Sequence, residues 1–152
     1  VLPAQRVRIG EAPDTSGLVC DAITRDGRPY LERYHLVQSP AGGVRFHHFR
    51  ADDPAHLHDH PWDSVSLLLA GTVAEHTAEA VTVWRPGDLV TRPAERAHRL
   101  ELLDGEAWSY FTTGPLARRW GFHVDGRWVH WRDYPGAGDY VDVDVDAGGS
   151  VW

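Results

Sequence analysis

Apolar and polar residues alternate in short runs along most of the chain, and the runs are broken by turn residues every 8–12 positions. That rhythm belongs to half-buried strands, whose successive side chains point to opposite faces. The runs predict strands over 18–24, 30–38, 44–50, 64–70, 72–77, 81–84, 89–92, 98–103, 107–113, 120–124 and 127–132. Asp-Gly pairs at Asp26–Gly27, Asp104–Gly105 and Asp125–Gly126 mark hairpins, and Pro86–Gly87 marks a tight turn. No stretch carries the spacing of an amphipathic helix of three or more turns. Many short strands punctuated in this way indicate an all-β sandwich or barrel. In the 44–50 strand, Val44, Phe46 and His48 share one face, read as the barrel interior, while Arg45, His47 and Phe49 share the other. Residues 1–29 read as an irregular lead-in, 30–134 as the β domain, and 135–152 as a tail. Val and Asp alternate in that tail over 140–146, as in an edge strand with a charged outer face.

Composition narrows the function. A chain of 152 residues is one domain with room for a real core. The balance of 15 Lys+Arg against 22 Asp+Glu, net −7, argues against nucleic acid or an anionic membrane as partner. No apolar run approaches the ~20 residues of a membrane span, and no signal peptide is visible. The single cysteine, Cys20, excludes an internal disulfide framework and fits a cytoplasmic location. There is no Met, so the initiator is expected to have been removed. Ten histidines and seven tryptophans are many for this length.

The histidines concentrate the chemistry. In HLHDHPWDSVSLLLAG, residues 56–71, His58 and His60 are two apart and point the same way in extended backbone. Two imidazoles on one face can grip one metal ion. A second stretch, RPGDLVTRPAERAHRL at 85–100, delivers His98. The spacing of His58, His60 and Gly71, followed by Gly87, Pro93 and His98, resembles the two motifs of the cupin superfamily. HDHPWD, RPA…HR and TGP…WGFH are similar to a bacterial and phage subgroup of small cupins. The match is incomplete. Ser64 stands at the usual Glu of the first motif; Glu95 and Leu102 replace a Gly and the Asn of the second. The resemblance implies a double-stranded β-helix, or jelly-roll, barrel with a metal held by His58, His60 and His98. It also implies relatives that pair through their sheet edges, so a homodimer is expected.

Neutral imidazoles suit Fe(II), Mn(II), Ni(II), Cu(II) or Zn(II). Asp63 is a further candidate: a carboxylate ligand, a turn cap, or the partner of a ligand's second nitrogen. His56 shares the parity of the pair and is a substitute ligand; Asp59 is expected outside the site. His48, His123 and Asp63 are candidates to take part in catalysis, and the two histidines are also candidates to contact substrate. Arg92, Arg99, Arg119, Trp62 and Tyr110 are candidates to bind it. His35, His47, His76 and His130 read as surface or structural, and 75–79 as a solvent-facing turn. No nucleophile elbow, Walker loop, CxxC pair or dinucleotide fingerprint is present. The preferred reading is a mononuclear Fe(II) oxygenase acting on a small molecule. The alternatives are a non-redox isomerase, lyase or hydrolase using a divalent metal as Lewis acid, and a non-catalytic binding protein.

Overall fold

The computed structural model describes residues 7–136. The Val/Asp alternation over 140–146 lies outside them. Twelve strands follow one another: β1 (Val19–Arg25), β2 (Arg28–Ser39), β3 (Gly42–Phe49), β4 (Leu57–His58), β5 (Ser64–Ala70), β6 (Val73–His76), β7 (Val81–Trp84), β8 (Leu89–Arg92), β9 (Arg99–Leu102), β10 (Ala107–Thr113), β11 (Gly121–Val124) and β12 (Arg127–His130). A single turn of 3-10 helix, Trp131–Asp133, follows β12. No helix among the described residues is long and apolar enough to cross a membrane.

Every strand pairing is antiparallel. One layer is a six-stranded sheet in the order β1-β2-β3-β10-β5-β8. The other consists of two three-stranded sheets, β12-β11-β4 and β7-β6-β9. A bridge joins these two, because the His58 N–H donates to the His98 carbonyl and the His98 N–H to that of His58, each at 2.9 Å. Both layers contribute side chains to one internal cavity. The fold is thus the jelly-roll barrel that the motif spacing implied.

Local chemistry explains the connections. The β1–β2 and β11–β12 hairpins turn on Asp26–Gly27 and Asp125–Gly126, all four residues at positive φ. That is the two-residue turn whose twist matches the flanking strands. Gly71, the last residue of the first motif, sits at φ +85°, and a Cβ there would lie 2.4 Å from the Glu106 carbonyl oxygen. The core falls into packed groups: Trp120, Phe122 and Trp131 beneath β4; Leu68, Val73, Leu100 and Ala107 between the layers; Ile23, Tyr30 and Leu31 at one end.

One assignment of faces is reversed. Arg45, His47 and Phe49 of β3 point into the cavity, and His48 points out. There His48 stacks on Trp108 at 3.9 Å and meets Glu106 at 2.8 Å and Glu32 at 3.1 Å. Phe46 packs against Tyr110, and Tyr34 against Trp108, on the same outer face. Both faces of this sheet carry aromatic layers, so apolar character along β3 does not identify the inner one.

Candidate metal centre

The three histidines converge. One ring nitrogen from each of His58, His60 and His98 lies within 4.8 Å of the others. The ring centroids are 4.8–5.0 Å apart. His58 and His98 are brought side by side by their mutual backbone bridge. His58 is also paired across the sheet with Phe122, whose ring packs 5.7 Å from it. His60 follows on the loop, with its N–H on the Ala94 carbonyl at 2.9 Å and its own carbonyl accepting from Arg118 at 3.0 Å.

Asp59, between the two histidines, points away from the site as extended backbone requires. It is nonetheless 2% exposed and accepts hydrogen bonds from the Gly121 N–H at 2.8 Å and Trp128 Nε1 at 3.0 Å; His123 Nε2 lies 3.1 Å away. It pins β11 behind the metal-facing turn. Gly121 also lets β12 come close to β11, since a Cβ there would fall 2.2 Å from the Val129 carbonyl oxygen.

Electrostatics keep the nitrogens available. Burial pushes His58 down from 6.5 to about 4, against the opposing pull of Asp53. Burial, then the neighbouring His98 and His58, holds His60 well below its ordinary value. Both rings are therefore neutral at physiological pH, the form that ligates metal. The Nδ1 atoms of both are buried without a hydrogen-bond partner. His98 is held differently. Its Nδ1 lies 2.5 Å from Glu75 Oε2, which leaves Nε2 for the cluster. Burial works to raise the Glu75 carboxyl, but the His98 hydrogen bond and the Arg92 charge outweigh it and hold the group at about 2. Arg92 Nε meets the same oxygen at 2.5 Å. A carboxylate behind a histidine fixes ring orientation and raises basicity, as it does for histidines that bind metal. Neutral, buried, mutually close imidazoles with unsatisfied nitrogens fit a divalent first-row ion.

Other candidates fall elsewhere. Asp63 is exposed, and its Oδ1 accepts from the Ala94 N–H at 2.8 Å, so it clasps the two motif loops and does not reach the histidines. His56 Nδ1 bonds the Tyr134 hydroxyl at 2.8 Å. His123 lies on the outer side with Asp59, and Tyr110 on the outer face with Phe46. Arg99 donates to the Pro54 carbonyl at 3.3 Å, and Arg119 lies over Trp128 at 5.5 Å. Arg92 and Trp62 do line the cavity.

Glu75 overturns the expectation of a solvent-facing turn at 75–79: it is 3% exposed. Its signal was parity, since it follows the core residue Val73 by two positions in β6. His47, read as surface or structural, lines the cavity with Arg45 because β3 turns the opposite face inward, and Arg33 joins them from the neighbouring β2. The cavity measures about 110 Å³, and Phe49, Trp62, Phe111 and Trp120 supply its aromatic lining.

No protein-family model matches the chain, and no curated protein matches it by sequence. Solved structures do resemble it. The cupin-2 domain protein Rru_A2000 of Rhodospirillum rubrum is 17% identical over 78% of this chain and 83% of its own, with a TM-score of 0.62. An RmlC-like cupin of Shewanella frigidimarina NCIMB 400 is 18% identical over 73% and 93%, with a TM-score of 0.53. Fe(II) HppE is 15% identical over 72% and 64%, with a TM-score of 0.55. At these identities the likeness is one of fold.

Proposed function

We propose that this protein, a cupin by fold, is a mononuclear non-haem metalloenzyme. In this reading His58, His60 and His98 hold Fe(II), and a small molecule reacts with O₂ in the adjoining cavity. One observation carries the reading: three buried imidazoles, two of them held neutral by burial, with no carboxylate among them, face an aromatic-lined space of about 110 Å³. A set of neutral ligands leaves the ion its full charge and open positions, and a bound Fe(II) supplies the electrons that O₂ chemistry needs.

The protein's own groups set the conditions. Desolvation of His58 and His60 keeps their lone pairs free of protons. Glu75 fixes the His98 ring, and Arg92 holds Glu75 ionised. Trp62, Trp120 and Phe111 exclude bulk water, which strengthens electrostatic contacts to anything bound. The likeness to Fe(II) HppE is compatible with iron here.

The test is anaerobic loading with Fe(II) followed by nitric oxide as an O₂ surrogate. A high-spin iron–nitrosyl signal in electron paramagnetic resonance is expected, sharpened by a molecule that fills the cavity. Failure to bind nitric oxide, with full turnover when Zn(II) replaces iron, would replace the oxygenase reading with a Lewis-acid one.

A further inference from the structure

The wall opposite the three histidines carries groups that metal binding leaves unused. Arg45 and His47 line the cavity from β3. Arg45 is only 1% exposed. The other cavity arginines have acids beside them: Arg33 meets Asp21 at 2.6 Å, and Arg92 meets Glu75 at 2.5 Å. Arg45 has none. Its guanidinium lies over the rings of Trp62 at 5.2 Å and Phe111 at 5.7 Å. Its Nε and Nη2 are buried with no hydrogen-bond partner.

Those two nitrogens share one edge of the guanidinium. That edge takes the two oxygens of a carboxylate in parallel. Burial lowers Arg45 to about 10, so it remains a cation at neutral pH. Both nitrogens of the neighbouring His47 are also buried and unpartnered. Burial, with Arg45 and Arg33 nearby, keeps that ring neutral, so it offers hydrogen bonding without further charge. Asp21 eases the Arg45 charge only from a distance, and a buried cation with no acid in contact is unfavourable unless something supplies one.

We infer that Arg45 anchors a substrate carboxylate, and that the cavity takes a small monocarboxylic acid whose other end faces the three histidines. The inference rests on the cavity being the substrate site; it does not require the metal. Asp21 and Glu75 pair with Arg33 and Arg92, and the third cavity acid, Asp53, accepts from the Tyr30 hydroxyl and the Leu100 N–H, so Arg45 is the one cavity arginine with no acid in contact, which suits a monoanion better than a phosphate dianion. By the same measure a water occupies ~10–15 Å³, so about 110 Å³ seats an acid of a few carbon atoms.

The test uses metal-free protein and isothermal titration calorimetry. Acetate, propionate, lactate and pyruvate are each compared with their neutral amides and with inorganic phosphate. At least one acid is expected to bind, with its amide weaker by about 10- to 100-fold. Arg45→Gln should abolish that preference, while His76→Ala, away from the cavity, should keep it. Arg45→Lys retains the charge but loses the paired edge, and should weaken the acid about tenfold even if the neutral variant fails to fold. Arg45→Met should raise the thermal midpoint of the ligand-free protein, since it removes an unpaired buried charge; a residue that merely supports the fold would lower it. The inference fails if no acid binds, if Arg45→Gln binds acids as wild type does, or if phosphate binds more tightly than every acid. Acid binding without metal binding would sink the metal reading alone; metal binding without acid binding would sink this inference alone.

Discussion

The two walls of the cavity contrast in how their polar groups are satisfied. On the wall of β4, β6 and β9, Glu75 orders His98 and also takes Arg92 from the end of β8, and the Nδ1 atoms of His58 and His60 lack partners. On the wall of β3, Arg45 Nε and Nη2 and both His47 nitrogens lack them. Buried polar groups in folded proteins are nearly always paired. Unpaired ones facing each other across one cavity indicate two ligand ends of different chemistry. One wall offers lone pairs to a cation, and the other offers N–H groups to an anion.

Breaking the first wall should have the largest effect. His98→Ala removes one of three ligands and should reduce bound metal to background by inductively coupled plasma analysis. His76→Ala should leave it intact, because His76 meets Glu101 away from the cluster. Equal metal content in the two variants would show that the walls do not differ as described.

The next effect is on pH dependence. The folded-state value of His58 lies below its unfolded one, so the unfolded chain binds the proton more readily. The stability of metal-free protein should be complete above about 6.5 and fall as pH drops toward about 4, by about 3 kcal/mol from His58 alone. Glu75 adds a second loss at lower pH, beginning near 4.5 and complete below about 2. Urea titrations across this range measure both. His58→Gln should make the loss in the upper window shallower, leaving the shares of His60 and His47, which burial also holds low; a flat profile in the wild type would contradict the buried neutral ring.

Glu75→Gln sharpens the contrast further. It removes the charge behind His98 and should weaken metal binding by about 10- to 100-fold. Arg45→Met, on the other wall, should leave metal affinity unchanged. Competition with a chelator of known affinity reads both.

The smallest effect belongs to Asp63. Asp63→Ala removes an exposed clasp to the Ala94 N–H and should cost about 1 kcal/mol of stability with no loss of metal. Loss of metal in this variant would restore the carboxylate-ligand reading.

The first wall was legible in the sequence and the second was not. His58, His60, Gly71, Gly87, Pro93 and His98 are tied to local backbone geometry, so their spacing survives as a pattern. The β-rhythm likewise identified β5, β7, β8 and β10 at the bounds the structure shows. β4 was hidden because it is two residues long and formed by pairing with β11. Arg45 and His47 depend on which face of β3 turns inward. Tyr34, Trp108 and Tyr110 cover its outer face with aromatic rings, which erases the usual apolar-in, polar-out signal. Glu75 was missed for a related reason. Beside His76 and Glu79 it reads as surface, and its contacts with Arg92 and His98, 17 and 23 residues away, make burial tolerable.

Anomalous diffraction from crystals grown with an excess of Fe(II) or Co(II) tests the central claim most directly. The account predicts one fully occupied ion per chain, bonded to a ring nitrogen of each of His58, His60 and His98 at about 2.0–2.2 Å, a distance typical of imidazole–metal bonds. An ion seated elsewhere, or an empty three-histidine cluster under that excess of metal, would contradict it.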